Sequence, residues 1–454
     1  MRTPSIFPIA PTRLDAEALA RSLNLAQSVW LDAVAPRVST AIEGDDGRAG
    51  EHYRSALERL AQRRDEALAL SLRLPFCAVH CLCCERPVHA GEPSHVIDTY
   101  VDDLCAEIET VAEVAGRGRD VLQLVLGGGS ATELDDSQLA RLMTTLQRQW
   151  RLPADAVFVA ECDPRRADGA RLALLRGLGF RAVTFGVLDL DTEVQCAIGR
   201  CQSGALIDDV CDLARASGIA IVNLDLMIGL PRQTEHGWRR TLERVLAMAP
   251  DRITLARYRH RPWQAPVQQL IDVDDLPDTA TIHALAQCAG SMLRAAGYRW
   301  IGADHFVLEG DELSQALDAG RLRRNLVGYT GQPPSPVLGF GAGAVSDIDG
   351  DLYWNEPLLP NWRAGVRGGD LPIVHARCPS EVERRRRRAI EQLMCALELP
   401  VEHARGGLEE AYAQLARRAA EGMVRALDDR IIVTDKGRAA LDHLCAEFGV
   451  PARG

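Results

Sequence analysis

From residue 67 onward, short runs rich in β-branched and apolar residues alternate with longer segments whose apolar positions recur at helical spacing. The runs 68–74 (LALSLRL), 121–126 (VLQLVL), 156–161 (AVFVAE), 182–187 (AVTFGV), 219–226 (IAIVNLDL), 252–256 (RITLA) and 298–303 (YRWIGA) predict strands. Segments 98–114, 136–150, 169–178, 203–216, 235–248 and 280–296 predict the intervening helices. This alternation predicts an α/β fold of parallel βαβ units, arranged as a barrel or as an open doubly wound sheet. Residues 1–65 are polar, with helical stretches around 14–34 and 50–64 and a loop over 35–40. The alternation ends near residue 310. Residues 311–375 predict a loop-rich segment, and 376–454 a small helical domain. The end of that domain, Ile431 to Arg438, suggests the strand, turn and closing helix of a winged-helix module. The expected organisation is thus an N-terminal extension (1–65), a β/α body (66–310), a loop-rich segment (311–375) and a C-terminal domain (376–454).

Polar and glycine residues collect just after the predicted strands, at Pro75 to Cys84, Gly127 to Ser130, Glu161 to Pro164 and Asp225 to Pro231. Parallel α/β folds bind ligands at the carboxyl ends of their strands. One geometric rule therefore brings four distant segments to one mouth.

Composition narrows the function classes. Hydrophobic residues at 47% and charged residues at 25% suit a globular protein. No apolar run reaches the length of a membrane span, and no leader peptide is evident, so a cytoplasmic location without a membrane partner is expected. A formal net charge of −11 disfavours nucleic acid as a general partner. Of the 52 basic residues only Lys436 is a lysine, so arginine abundance is not by itself an anion-binding signal. The run Arg384 to Arg388 is expected to be a solvated helix face. Thirteen cysteines, odd in number and irregular in spacing, do not suggest a disulfide framework. Most sit singly among apolar neighbours, but Cys77, Cys81, Cys83 and Cys84 form a cluster.

Cys77-x3-Cys81-x2-Cys84 places three thiolates on one loop after a strand. Three such ligands can hold three irons of a four-iron, four-sulfur cubane and leave the fourth open. An open iron can chelate the amino and carboxylate groups of S-adenosylmethionine while the cluster passes an electron to the sulfonium. A zinc site is the alternative, although adjacent Cys83 and Cys84 seldom both point at one ion and no second Cys pair follows at finger spacing. Gly127, Gly128 and Gly129 either let backbone approach a ligand closely or make a plain tight turn. Glu161 ends a strand at the expected mouth, where it serves a ligand or solvent. Asp225 lies in an apolar strand, where an unpaired carboxylate is expensive. It should have a ligand or an arginine partner, and Arg200 is the candidate.

The cysteine motif resembles that of radical S-adenosylmethionine enzymes. The rest of the chain resembles one branch, the oxygen-independent coproporphyrinogen III oxidase family, from about Ala35 to Phe448. The segments that carry the resemblance are Gly127-Gly128-Gly129-Ser130, Glu161-x-Asp163-Pro164-Arg165, Asp225-Leu226-x-x-Gly229-Leu230-Pro231-x-Gln233-Thr234, Gly302-x-Asp304-His305-Phe306, Arg324-Asn325-x-x-Gly328-Tyr329-Thr330 and Gly339-x-Gly341. The resemblance implies an incomplete β/α barrel with a helical C-terminal domain and a 4Fe-4S cluster on Cys77, Cys81 and Cys84. It implies S-adenosylmethionine contacts at Gly128, Gly129, Ser130, Glu161, Arg200, Asp225 and Val345, with Arg200 and Asp225 at positions that meet a second cofactor molecule. Arg259, Asp304, His305, Arg324 and Asn325 would lie on the substrate side. Without the resemblance, Arg323-Arg324 reads equally as a surface loop.

The chain departs from the family pattern at definite places. Ser71 replaces a Tyr, Arg73 a His, Leu188 a Gln and Arg259 an Ala. Cys83 takes an aromatic position, and Arg86 stands where a further non-ligand cysteine is common. Arg259, beside Arg257, His260 and Arg261, is expected to favour an anionic group over a second sulfonium.

The implied reaction is anaerobic oxidative decarboxylation of coproporphyrinogen III to protoporphyrinogen IX in haem biosynthesis. The expected partners are a porphyrinogen substrate and an electron donor such as flavodoxin or ferredoxin, acting on a monomer. Two other readings stand beside it: a radical enzyme that modifies or methylates another tetrapyrrole, and a haem carrier using His80, His260 or His305 as axial ligands.

Overall fold

The six central strands run parallel and in sequence order: β1 (Leu68–Leu74), β2 (Val121–Gly128), β3 (Val157–Cys162), β4 (Ala182–Leu188), β5 (Ile221–Ile228) and β6 (Arg252–Arg257). The computed structural model describes residues 48–438, 440–446 and 448. The helix expected over 14–34 and the loop at 35–40 lie outside them.

Alternation along each strand explains why the sheet curves around a polar interior. In β1, Leu68, Leu70, Leu72 and Leu74 are buried, while Ser71 and Arg73 on the opposite face border a cavity. The same face carries Gln123 and Val125 of β2, Glu161 of β3, Thr184 of β4, Asn223 and Asp225 of β5, and Thr254 of β6. Helices return the chain between strands: α1 (Ala49–Ala61) precedes β1, followed in order by α2 (Ser94–Ala115), α3 (Asp136–Gln149), α4 (Gly169–Gly177), α5 (Gly204–Ala216), α6 (Glu235–Ala247) and α7 (Thr279–Ala295). The starts of α3 to α7 are set by caps. Asp135 and Gln138 form a capping box on α3, and Asp168, Ser203, Thr234 and Asp278 cap α4 to α7. No helix among the described residues is long and apolar enough to cross a membrane.

The sheet continues beyond the six strands on both sides. After β6 come β8 (His305–Leu308) and, outermost, β7 (Tyr298–Ile301), both antiparallel to their neighbours. The run 298–303, expected as one more strand of the alternating βα series, is thus half of a hairpin that turns at Gly302, where φ is +52°. Beside β1 lies β9 (Val337–Phe340), parallel to it, followed by antiparallel β10 (Val345–Ile348), β11 (Asp351–Asn355) and β12 (Ile373–Arg377). Segment 311–375, expected to be loop-rich, therefore supplies three strands and the start of a fourth in a twelve-stranded sheet. It also holds the helices Glu312–Asp318 and Leu359–Arg367 and a ribbon of Arg323–Asn325 with Gly328–Thr330. Among the described residues β12 and β7 remain unjoined edges, so the barrel is incomplete.

Buried polar side chains fasten this extension. Glu107 of α2 accepts from the Gly341 N–H at 2.7 Å and from Asn355 Nδ2 at 2.5 Å. Burial pushes its carboxyl up to about 7 against those donors. Arg119 is 2% exposed and donates to the carbonyls of Leu60, Arg63, Glu66 and Ala115, so one guanidinium closes the carboxyl ends of α1 and α2.

The C-terminal region has its own core around Ile390, Leu393, Leu399, Leu415 and Ile431. It is more than helical: Glu398–Pro400, Arg430–Val433 and Val424–Ala426 form a three-stranded antiparallel sheet. Its leading helix, α8 (Glu381–Ala396), carries the arginine run, which is not simply solvated. Arg384 pairs with Asp351 at 2.7 Å and Arg387 with Asp347, docking α8 on the β10–β11 hairpin.

Candidate active site

The segment after β1 turns through Phe76–Cys77, a two-residue strand beside His89–Ala90, into the cysteine loop. The Cys84 N–H donates to the Cys81 carbonyl at 3.1 Å, a tight turn that brings these two thiols to one side. Cys77, Cys81 and Cys84 are free, partly exposed, and line one cavity of about 610 Å³. Burial, then the neighbouring Cys84 and Cys81, pushes the Cys77 thiol up to about 12. Cys83 is 3% exposed and packs with Val194, Ile198, Leu230, Tyr258 and Ile271. Among the described residues no three His, Cys, Asp or Glu side chains converge on one metal-ion position. A cubane does not require that, since each thiolate bonds its own iron. Three unpaired thiols on one loop, opening into a cavity beside a glycine cradle, fit a 4Fe-4S cluster with an organic ligand.

The cradle is the end of β2. Gly128 has φ +94°, and its N–H donates to Glu161 Oε2 at 3.0 Å. Gly129 serves the cysteine loop as much as any ligand: a Cβ there would press on the Phe76 carbonyl and lie 2.6 Å from that of Leu74. Gly129→Ala is therefore expected to cost about 1–3 kcal/mol as overpacking, seen as a lower midpoint in chemical denaturation. An unchanged midpoint would show that the loops can separate. Ser130 has its N–H on the Phe76 carbonyl (2.8 Å), and its hydroxyl accepts from the Asp163 N–H (2.9 Å). It ties β2 to β3.

Long-range ion pairs organise the rest, and sequence reading missed them. Arg86 Nη1 lies 2.5 Å from Glu161 Oε2. Burial opposes ionisation of Glu161, yet the Arg86 charge and the Gly128 N–H hold its carboxyl below the usual range. The Arg200–Asp225 pair expected from sequence is replaced by other partners. Arg200 donates to the Gly186 carbonyl at 2.6 Å and to Cys81 Sγ at 3.3 Å, and lies 3.7 Å from Asp163. Asp225 accepts from Asn223 Nδ2 at 2.8 Å. Burial, then the negative charge of Glu161, pushes Asp225 up to about 6. Arg259 was expected to offer its charge to an anion. It is instead engaged by Glu85, with Nη2 2.8 Å from Oε2.

On the far side, Asp304 binds His305 Nδ1 at 2.8 Å and Arg324 Nη1 at 3.4 Å. Arg324 also lies over the Tyr329 ring, 4.3 Å from its centroid, and is 8% exposed rather than part of a surface loop. Asn325 donates to Gln123 at 2.8 Å. Of the candidate residues, His305 and Asn325 border a second cavity of about 470 Å³ inside the barrel. The other thirteen, from Cys77 to Arg324 and including Val345, border the first. So do Ser71, Arg73, Cys83, Arg86 and Leu188, the positions that depart from the family pattern. His80 and His260, named for the haem-carrier reading, border neither cavity, and His260 is bonded to the Tyr258 hydroxyl at 2.9 Å. The C-terminal region contributes Arg438, Ala440 and Leu441 to the wall of the first cavity; Arg438 donates to the Gly302 carbonyl at 2.9 Å.

An open parallel barrel with a cysteine loop at its carboxyl mouth defines the class of radical S-adenosylmethionine proteins, and residues 72–245 match the family model of the radical SAM superfamily. The chain is 35% identical over 420 residues to the oxygen-independent coproporphyrinogen III oxidase of Pseudomonas aeruginosa, an alignment covering 90% of this chain and 91% of that one. Identity to the enzyme of the same name from Escherichia coli is 33% over 418 residues, 90% of either chain. The solved structure of the Escherichia coli coproporphyrinogen III oxidase, described as a radical SAM enzyme, matches with a TM-score of 0.82 at 32% identity, over 88% of this chain and 93% of that chain. The chain belongs to the oxygen-independent coproporphyrinogen III oxidase family.

Proposed function

We propose that this protein is a radical S-adenosylmethionine oxidoreductase that converts coproporphyrinogen III to protoporphyrinogen IX without oxygen. The observation that carries the reading is a single cavity bordered both by the Cys77, Cys81 and Cys84 thiols and by Asp304 and Arg324 across the mouth. When bound, the cluster and S-adenosylmethionine supply a one-electron route that removes a hydrogen atom from a propionate β-carbon, after which carbon dioxide and an electron leave.

The chain's own residues hold and enclose. Cys77, Cys81 and Cys84 would bind three irons, leaving the cluster loop's remaining cysteine in its apolar pocket. Gly128, Gly129 and Ser130 would set the backbone against the methionyl end, Glu161 and Val345 would also hold the cofactor, and Arg200 and Asp225 would stand where a second molecule is expected. Arg438, Ala440 and Leu441 narrow the mouth and exclude water. A flavodoxin or ferredoxin donor, a monomeric enzyme and a cytoplasmic location complete the reading.

The test is anaerobic. The protein is reconstituted with iron and sulfide, then given dithionite, S-adenosylmethionine and coproporphyrinogen III. Formation of 5′-deoxyadenosine together with protoporphyrinogen and two carbon dioxide molecules per porphyrinogen is expected. Nucleoside without protoporphyrinogen would overturn the substrate and return the reading to another tetrapyrrole or to methyl transfer.

A further inference from the structure

Two departures from the family pattern meet at the first cavity. Arg73 and Arg86 both border it, and Arg86 is paired with Glu161. Glu161 Oε2 is already shared between Arg86 Nη1 at 2.5 Å and the Gly128 N–H at 3.0 Å. Arg73 is held differently. Its backbone carbonyl accepts from the Tyr100 hydroxyl at 2.6 Å, which fixes the end of β1. Its side chain runs past Gly128 and Gly343: a Cβ on Gly128 would lie 2.8 Å from Arg73 Cγ, and one on Gly343 3.8 Å from Nε. Its Nη2 is buried and has no hydrogen-bond partner among the described residues. Burial, then the like charge of Arg86, lowers its pKa to about 10, so the guanidinium is still charged at neutral pH.

A buried guanidinium with an open N–H, beside a second arginine, is arranged to receive an anion. A planar carboxylate matches the guanidinium fork and satisfies the open donor. The reaction brings carboxylates from two sources, the methionyl end of S-adenosylmethionine and the propionates of the porphyrinogen. We propose that Arg73 is a carboxylate-binding residue of this cavity, an anchor that this chain has in place of the histidine typical of its family. The proposal rests on the functional reading above for the identity of the two carboxylates.

Binding measurements separate the sources without relying on turnover. Reconstituted wild type, Arg73→Gln and Arg73→His are compared by calorimetry under anaerobic conditions, after circular dichroism melts establish that each is folded. Arg73→His restores the family's residue and serves if the glutamine variant does not fold. If Arg73 holds the methionyl carboxylate, both variants bind S-adenosylmethionine about 10- to 100-fold more weakly. Affinity for 5′-methylthioadenosine, which lacks that carboxylate, is then unchanged. If Arg73 holds a propionate, the loss appears with coproporphyrin III and is absent with its tetramethyl ester. Unchanged affinity for both carboxylate ligands overturns the proposal. Equal losses for each ligand and its carboxylate-free partner also overturn it, because that pattern marks a purely structural role. The cofactor arm does not depend on the substrate, so a wild type that makes no protoporphyrinogen defeats the functional reading while leaving this one standing.

Discussion

Cys84→Ala is expected to abolish cluster assembly, while Cys83→Ala leaves it intact. The two residues are adjacent, carry the same thiol and differ only in where the backbone turns them. The Cys84 N–H closes a turn onto Cys81, and its thiol borders the cavity with Cys77 and Cys81. Cys83 packs in the apolar group of Val194, Ile198, Leu230, Tyr258 and Ile271. Burial raises the pKa of both thiols and both residues border the cavity, so neither ease of ionisation nor place in the wall distinguishes them; exposure does, because Cys83 is 3% exposed within that apolar group while Cys84 is partly exposed. With two of three thiolates left, a cubane has two irons without protein ligands and is not retained. Iron and acid-labile sulfide content after anaerobic reconstitution, with visible absorption, reads the outcome. A full complement of iron in Cys84→Ala, or its loss in Cys83→Ala, would reverse the ligand assignment.

The parts of the fold that were legible in the sequence share one property. Strands such as β1 and β5 separate a leucine- or valine-rich face that packs on helices from a polar face that borders the cavities, and helices α3 to α7 carry clear caps. Strands β9 to β12 lacked that signal. β9, β10 and β11 are buried at every position, so no period of two survives in them. Their polar residues also resemble loop residues: Ser346, Asp347, Asp351 and Asn355 are all buried, and are satisfied by Tyr53, Arg387, Arg384 and Glu107. Short spacing also divides the legible from the hidden in the site. The three thiols lie within one loop and could be read directly. Arg86 and Glu161 are 75 residues apart, and Glu85 and Arg259 are 174 apart. Such pairs cannot be inferred from one sequence, and they decide which charges remain available. Arg259 is paired with Glu85, and Glu161 is paired with Arg86 rather than with Arg73.

Arg324→Met is expected to lower stability by about 3–5 kcal/mol at neutral pH, the cost of leaving a buried charge without its partner. Sequence resemblance placed Arg324 on the substrate side, and its guanidinium faces Asp304 at 3.4 Å and the Tyr329 ring at 4.3 Å. Both charged side chains are largely buried, with 7% and 20% of their surface exposed, so solvent screening removes little of the interaction. Burial opposes ionisation of Asp304, but Arg324 and then His305 hold its carboxyl well below the usual carboxylate range. A carboxyl whose pKa is depressed in the folded state stabilises above its unfolded pKa, and that contribution fades as pH falls through the folded value. In Arg324→Met the carboxyl loses that support, so the deficit is greatest near pH 7 and narrows on acidification toward pH ~4, where the unfolded carboxyl takes up its proton. Urea denaturation at the two pH values measures both limbs. Adding Asp304→Asn to Arg324→Met should recover part of the loss, because the unpaired charge is gone even though the ring contact is not restored. A variant with unchanged midpoints and a raised KM for porphyrinogen would show instead that Arg324 turns from Asp304 to the substrate, and that the pair is a resting arrangement of the binding site.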